Sequence, residues 1–493
     1  MLRRIIFYLF VLAYLALCPL IILDSLGIRI RPNESKVMMS TGLISVETIP
    51  EGAAIFVNGR PYGKPSPAII RDLSAGTYDI KITHPGYLPW EKVVPVEKAQ
   101  ATLLQSVLLI PNTWQKQVLS SEPFSGLLPA EDAPFFLLYK STHLQTLSVF
   151  KWDTGLFNRL GPPQDFTPDD WSLSEIFATR PFRKPAKLTG FFRVPESAFI
   201  LAQAEHNGDI STLRINTDRT GAPAENISAY FSDRPEEVRW DADDPTDIFY
   251  RSGQTLGHLD LETGRTVTGL AGGLKGFTVF NHKIYWIDSL DRFLQSDYAF
   301  KNTQLLTGKM AQMPEAFREA TAWRIFAFSD DNFIFLNEKG RLFSNRLPYR
   351  LVNDNVTGFN KTLNKKRLLI WTKRKLGLID FSRTSQEGVF ETGPEVKWLV
   401  ADGRDIRQAF WVNKGTHVLF RDRDRVRIVD VSDGESPAVT VVESDGPVAY
   451  ADELGKLFYL DKKTHDLTAL TVLPPHEYVS FNLPQTFRRK ELP

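Results

Sequence analysis

The hydrophobic and polar positions of this chain fall into three regimes: one unbroken apolar run, then a compact alternation, then a long periodic one. Ile5 to Leu23 forms the run, 19 positions without a charge. At about 1.5 Å of rise per residue it spans the roughly 30 Å hydrocarbon layer of a bilayer, which predicts a membrane helix. Further on, Ile44, Val46 and Thr48 alternate with Ser45, Glu47 and Ile49, until Pro50, Glu51 and Gly52 break the pattern. Period two is the spacing of side chains on one face of a strand. A second apolar stretch, AAIFV, stops at Asn58-Gly59, a pair that tolerates positive φ at both centres of a two-residue hairpin turn. Tyr78, Ile80 and Ile82 share the next face, HPGY at His84 to Tyr87 turns the chain, and WEKVVPV and TLLQSVLLI follow. These alternations and turns predict a small antiparallel β-sandwich over residues 42–111.

The third regime repeats one phrase: about four apolar residues, a polar turn, and a second strand with alternating apolar positions. KIYWIDSLDRFLQSDYAF and HVLFRDRDRVRIVDVSDG are two instances. Eight such hairpins begin at Phe135, Ala198, Asp247, Lys283, Asn332, Arg367, His417 and Lys456, a mean spacing near 46 residues. Propeller blades recur at about 40 to 50 residues, so the region 113–475 is expected to form a β-propeller of seven or eight blades. One or two plain sandwiches are the alternative, but they leave more strand edges open than a ring does. Inserts at Leu160 to Trp171 and Arg180 to Gly190 are read as long loops on one rim, where binding residues gather on a rigid scaffold.

The expected fold class is therefore all-β: an N-terminal transmembrane helix (anchor 1–28), a linker (29–41), the sandwich, the propeller and a C-terminal tail (476–493). A length of 493 residues, with 43% hydrophobic and 24% charged positions, suits several folded domains. Lys and Arg number 59 against 58 Asp and Glu, so no global field attracts nucleic acid, and none is expected as a partner. The sole cysteine, Cys18, lies inside the apolar run. Disulfides, zinc-cysteine sites and cysteine nucleophiles are excluded beyond it.

Arg3 and Arg4 precede the apolar run, and a positive flank tends to stay in the cytoplasm. The expectation is a single pass of the cytoplasmic membrane, N-terminus inside and the bulk of the chain extracytoplasmic, although Arg29, Arg31 and Lys36 pull the other way. A cleaved signal peptide would want a shorter apolar core and an A-x-A site. LALC at Leu15 to Cys18 has Leu17 where a lipoprotein signal needs a small residue, so a retained anchor in the lipid bilayer is expected.

The tetrapeptide Pro50-Glu51-Gly52-Ala53, followed by IFVNG with Asn58 and Gly59, then Gly63, Ser66-Pro67 and LSAGTYDIKITHPGY, resembles the PEGA domain. The family more often carries Thr where Ser66 stands. The resemblance implies a non-catalytic β-sandwich of bacterial cell-surface and envelope proteins, serving as a spacer or adhesion unit. Phrases such as LGHLDLETG and VRIVDVSDG resemble degenerate WD-repeat and TolB-like propellers in pattern, with no site residues attached.

Candidate chemistry is sparse. GxSxG, HExxH and a phosphate-cradling glycine loop are absent; HEYVS at His476 lacks its second histidine, and AGGLKG lacks the spacing. His143, His206 and His465 are read as solvated turn residues. Asp241, Asp243, Asp244 and Asp247 in WDADDPTD could offer oxygen ligands to calcium, but without the glycine and closing glutamate of an EF-hand a turn is favoured. RDRDRVR at Arg421 to Arg427 is read as a hairpin tip with solvated charges rather than an anion site. Trp240, Trp286, Trp371, Trp398 and Trp411 sit among apolar neighbours and are assigned to packing rather than to stacking on sugars.

No catalytic residue and no cofactor is expected. The leading expectation is a membrane-anchored cell-envelope binding or structural protein, whose propeller engages an envelope protein or a glycan. The alternative, from another class, is an extracytoplasmic propeller enzyme acting on glycans or peptides, which needs carboxylates converging in one pocket.

Overall fold

The structure, a computed structural model, describes residues 28–30, 38–129, 135–140, 143–144, 146–152, 171–178, 186–193, 199–206, 208–216, 225–241, 244–306, 320–329, 332–345, 351–353, 355–361, 367–380, 396–431 and 437–473, with seven positions between 7 and 18. Those seven are helical, and Phe7, Phe10, Tyr14, Leu15 and Leu17 expose their apolar side chains. Among the described residues no helix is long and apolar enough to cross a membrane. Two compact units emerge, residues 1–115 with 431–435, and residues 116–430 with 436–493.

The first unit is a sandwich of two four-stranded sheets. Met38–Ile49 pairs with Ile28–Ile30, Ala68–Ser74 and Ala101–Leu108; the facing sheet runs Arg60–Pro61, Ala54–Val57, Gly76–Thr83, Trp90–Val96. Alternate residues Ile44, Val46, Ile55, Ile70, Ile80, Ile82, Val94 and Val96 fill the space between. One pairing departs from the antiparallel expectation, because Ala101–Leu108 lies parallel to Met38–Ile49. Strands far apart in sequence are free to meet in parallel, whereas a hairpin forces the antiparallel arrangement.

The Pro50-Glu51-Gly52-Ala53 turn is clamped from within. Gly52 takes φ of 83°, Ala53 is fully buried, and the Ser66 hydroxyl oxygen accepts the Ala53 N–H at 2.9 Å. The Thr48 hydroxyl donates to the Pro50 carbonyl and lies 2.5 Å from the Ser66 hydroxyl. A hydroxyl is what the position requires, so serine serves in place of threonine. Asn58 and Gly59 adopt φ of 49° and 75°, the paired positive values that their turn demands.

The second unit contains eight consecutive antiparallel sheets. Sheets 1 to 7 span 126–178, 186–226, 237–271, 276–305, 323–353, 358–400 and 406–443. Sheet 8 combines Ala449–Ala451, Lys456–Leu460 and Leu467–Thr471 with Lys116–Ser120, which comes from the start of the unit and supplies the fourth strand. The eight hairpins read from the sequence are the second and third strands of these sheets. The first and fourth strands lie outside the repeated hairpin phrase; several fourth strands are short, such as Glu225–Asn226, Gln304–Leu305 and Leu351–Asn353. Ala186–Arg193 corrects the reading of Arg180 to Gly190 as a loop: its second half opens sheet 2, where Phe191 and Phe192 pair with Ala202 and Leu201. His143 likewise belongs to a short strand, His143–Leu144, paired to that same first strand.

Neighbouring sheets bury apolar clusters between them. Leu201, Val238 and Trp240 join sheets 2 and 3; Tyr285, Phe293, Phe333 and Phe335 join 4 and 5. Sheet 8 packs on sheet 1 through Phe136, Phe150, Trp152 and Phe458, whose ring centroids lie 4.8 to 6.3 Å apart. Polar contacts hold sheets 6 and 7, where Asn360 donates to the Ala409 carbonyl at 3.2 Å, and sheets 7 and 8, where Gln408 pairs with the Val448 backbone at 3.0 and 3.2 Å. The unit is all-β and propeller-like.

Candidate binding face

In a four-stranded antiparallel meander, the turn between strands two and three lies at the end where strand one begins and strand four finishes. Two cavities take most of their linings from this end. The larger, about 530 Å3, is lined by Arg404, Arg407, Arg421, Arg423, Arg425 and Lys462, with Asp424 and Asp445. Arg404 and Arg407 flank the start of Ile406–Val412, the first strand of sheet 7. Arg421 to Arg425 cover the turn between His417–Asp422 and Arg425–Asp430. Asp445 follows the fourth strand, Val439–Glu443, and Lys462 sits on the corresponding turn of sheet 8.

The hairpin is held from below. Asp422 is 6% exposed, and its Oδ1 accepts the N–H groups of Arg404 (2.8 Å) and Asp405 (2.9 Å), tying the two sides of the cavity together. Arg423 sits at φ of 59°, the left-handed turn position that lifts its side chain off the strand direction. Asp405 grips Arg407 through Nε at 2.7 Å and Nη2 at 2.6 Å. Arg421 is 5% exposed; its Nη2 donates to the Asp445 carbonyl at 2.6 Å, while its Nε is buried without a hydrogen-bond partner. Burial first, and the Arg407 charge second, lower the Arg421 guanidinium below the ordinary arginine range. Lys462 bridges to Asp445 at 3.2 Å and Asp424 at 3.6 Å. Arg404 and Arg423 make no ion pair among the described residues.

RDRDRVR does form a hairpin tip, with Arg423 and Arg425 exposed as read, but not all of its charges are solvated. Two consecutive residues, Arg421 and Asp422, are buried. The run alone could not show it, because the other walls come from residues 404–407, 445 and 462.

The second cavity, about 330 Å3, lies among sheets 3 to 5 and is more evenly charged. Glu237 contacts Arg239 at 2.8 Å and Arg251 at 3.4 Å, and Glu236 reaches Arg251 at 3.3 Å. Lys275 pairs with Asp291 at 2.6 Å. Glu338 accepts the backbone N–H groups of Thr321 (3.1 Å) and Ala322 (3.2 Å). Burial alone would raise the Glu338 carboxyl, but these hydrogen bonds prevail and hold it below the usual carboxylate range.

The aspartates of WDADDPTD are at the opposite end of sheet 3, and their carboxylates serve different partners. Asp241 accepts the His282 N–H at 2.9 Å, Asp244 accepts the Thr246 hydroxyl at 2.8 Å, and Asp247 contacts His258 Nε2. Asp243 lies outside the described residues, as do His476 and residues 160–170. Among the described residues no group of three His, Cys, Asp or Glu is placed to hold a metal ion. Trp240, Trp286 and Trp371 are buried, as packing requires. Trp398 departs from that reading at 37% exposed, with Lys375 Nζ 5.2 Å from its ring centre.

Residues 41–110 match the PEGA domain family. No curated protein matches the chain. Among solved structures, the Myceliophteria thermophila Cps50 (Swd1) β-propeller domain is similar at 13% identity and TM-score 0.33, over 58% of this chain and 100% of that one. Kluyveromyces lactis Hsv2 is similar at 8% identity and TM-score 0.39, over 66% and 99%. PorZ, a bacterial surface component of the type-IX secretion system of Porphyromonas gingivalis, is similar at 10% identity and TM-score 0.35, over 70% and 42%.

Proposed function

We propose that this chain is a membrane-anchored, non-catalytic binding protein of a cell envelope. Its eight sheets close into an eight-bladed β-propeller whose working face is the end bearing the turns between strands two and three. The PEGA module is its spacer, and a protein or glycan of the envelope is its partner. The observation that carries this reading is the common origin of the two cavities: charged side chains from sheets 3, 4, 5, 7 and 8 open at one end. The packing of sheet 8 on sheet 1, with its fourth strand supplied by Lys116–Ser120, supports closure. Anchoring is supported by the 19 uncharged positions from Ile5 to Leu23. The non-catalytic reading is supported by the second cavity, whose glutamates are committed to ion pairs and backbone hydrogen bonds rather than left to move protons.

The test is photocrosslinking in intact cells from position 423 at the working end and from position 281, in the turn between strands one and two of sheet 4, at the other. Capture of a specific partner from 423 and none from 281 is expected. Equal capture from both, or capture only from 281, would reject the face. Protease added outside the cytoplasmic membrane should digest the chain beyond about residue 30; full protection there would reject the topology.

A further inference from the structure

We propose that the groove between sheets 7 and 8 binds a compact soluble polyanion carrying two or more phosphate groups. This rests on reading the same end of the sheets as the binding face.

Charge is the first ground. Six cationic side chains line the groove against two carboxylates, an excess of four. Asp405 and Glu443 lie outside the lining and offset Arg407 and Arg425, at 2.6 and 3.8 Å, which still leaves Arg404 and Arg423 uncompensated beside Arg421. Like charges gathered in one concavity repel, and a bound anion relieves that repulsion while a neutral ligand does not.

Burial is the second ground. Arg421 is 95% withdrawn from solvent, lines the groove, and keeps its Nε without a partner although its Nη2 is satisfied by Asp445. A buried guanidinium with an open donor is costly unless an acceptor arrives. Its planar fork, together with those of Arg404 and Arg423, suits the several oxygens of phosphate groups. Arg407 is aimed by two contacts to Asp405 and Lys462 by two carboxylates, so both enter the site already oriented.

Size and lining choose among anions. A space of about 530 Å3 is larger than one phosphate requires and falls within the range of about 300–1,000 Å3 usual for small-ligand sites. Among the described residues no aromatic or aliphatic side chain lines it, so they offer nothing to a base, a sugar face or an acyl chain. The carboxylates of Asp424 and Asp445 narrow the preference toward a ligand of high charge density, one that holds its place against them.

Titration calorimetry of the full chain in detergent, with inorganic tripolyphosphate, orthophosphate and hexaglutamate as probes, tests this. Tripolyphosphate should bind at least tenfold more tightly than either other probe, and more weakly as salt is raised. Replacing the exposed pair with Arg404→Ala and Arg423→Ala should weaken tripolyphosphate by at least about tenfold, the value of roughly one charge-assisted hydrogen bond, with an unchanged melting temperature. Arg421→Lys keeps the charge but removes the fork and should also lose affinity; the exposed double variant decides the matter if the buried one unfolds. Tighter binding of hexaglutamate would overturn the proposal in favour of an acidic protein segment. Equal weak binding of all three probes, or binding indifferent to the double variant, would overturn it too. Failure here alongside specific capture from position 423 would reject the phosphate chemistry and leave the binding face standing.

Discussion

The two cavities open at the same end of the same unit, yet one neutralises its charges and the other accumulates them. Around Glu237, Arg239 and Arg251 each stand within 3.4 Å of a carboxylate of their own sheet, so those charges are spent on holding sheet 3 in shape. In the groove, the carboxylate doing comparable structural work, Asp422, is buried beneath the lining, where Oδ1 accepts two backbone N–H groups and Oδ2 pairs with Arg427 at 3.5 Å, a residue outside the lining. The arginines above it are left in excess. A charged cavity is a candidate for ligand binding where its charges are not already spent on one another; the groove gathers a net excess of cations, whereas Arg324 is the one cation of the second cavity's lining with no carboxylate partner among the described residues.

Four perturbations separate the two. The largest effect is expected from Phe458→Ala, which empties the aromatic cluster joining sheet 8 to sheet 1 and should cost about 3–5 kcal/mol by urea unfolding. Because Lys462 rides on sheet 8, amide exchange should rise around the groove before it rises around Glu237; a uniform rise would mean that the sheets open together.

Glu237→Ala strips one carboxylate from two part-buried arginines and should destabilise by about 1–3 kcal/mol, leaving tripolyphosphate affinity unchanged. A smaller effect is expected from Glu338→Gln, below about 1 kcal/mol because the group is exposed and screened. Its sign follows from the depressed carboxyl: the folded-state contribution is present above the unfolded value of about 4.3 and is lost as pH falls through the lower folded one. Wild type and variant should therefore differ at pH 7 and converge in acid; a gap that widens in acid would contradict the assignment. Smallest of all is the stability change for Arg423→Ala, within about 0.5 kcal/mol, since no ion pair is broken. The comparison holds if that variant hardly moves the melting temperature and yet weakens the ligand, while Glu237→Ala does the reverse.

What could be read in the sequence was set by how local its cause was. The turn at Asn58-Gly59, the P-E-G-A corner and the eight hairpins are each fixed by residues a few positions apart, and each appears where alternation and turn chemistry put it. The groove is different. Its walls come from segments near 404, 423, 445 and 462, and no periodicity within RDRDRVR says that Arg421 and Asp422 turn inward while Arg423 and Arg425 face out. The parallel pairing of Ala101–Leu108 and the fourth strand of sheet 8 escaped for the same reason, since their partners lie far along the chain.

The strand Lys116–Ser120 also imposes a timetable. Ser120 pairs with Leu467, 347 residues later. At chain-elongation rates of about 5–20 residues per second, that edge waits roughly twenty seconds to a minute for its partner to be made. Until then it is an unpaired strand edge on a growing chain, and such edges recruit other strands. Its first residues, Lys116 and Gln117, are polar and exposed even in the finished sheet. A lysine on an edge discourages foreign pairing, so the strand that completes sheet 8 carries its own protection through the interval before it can do so.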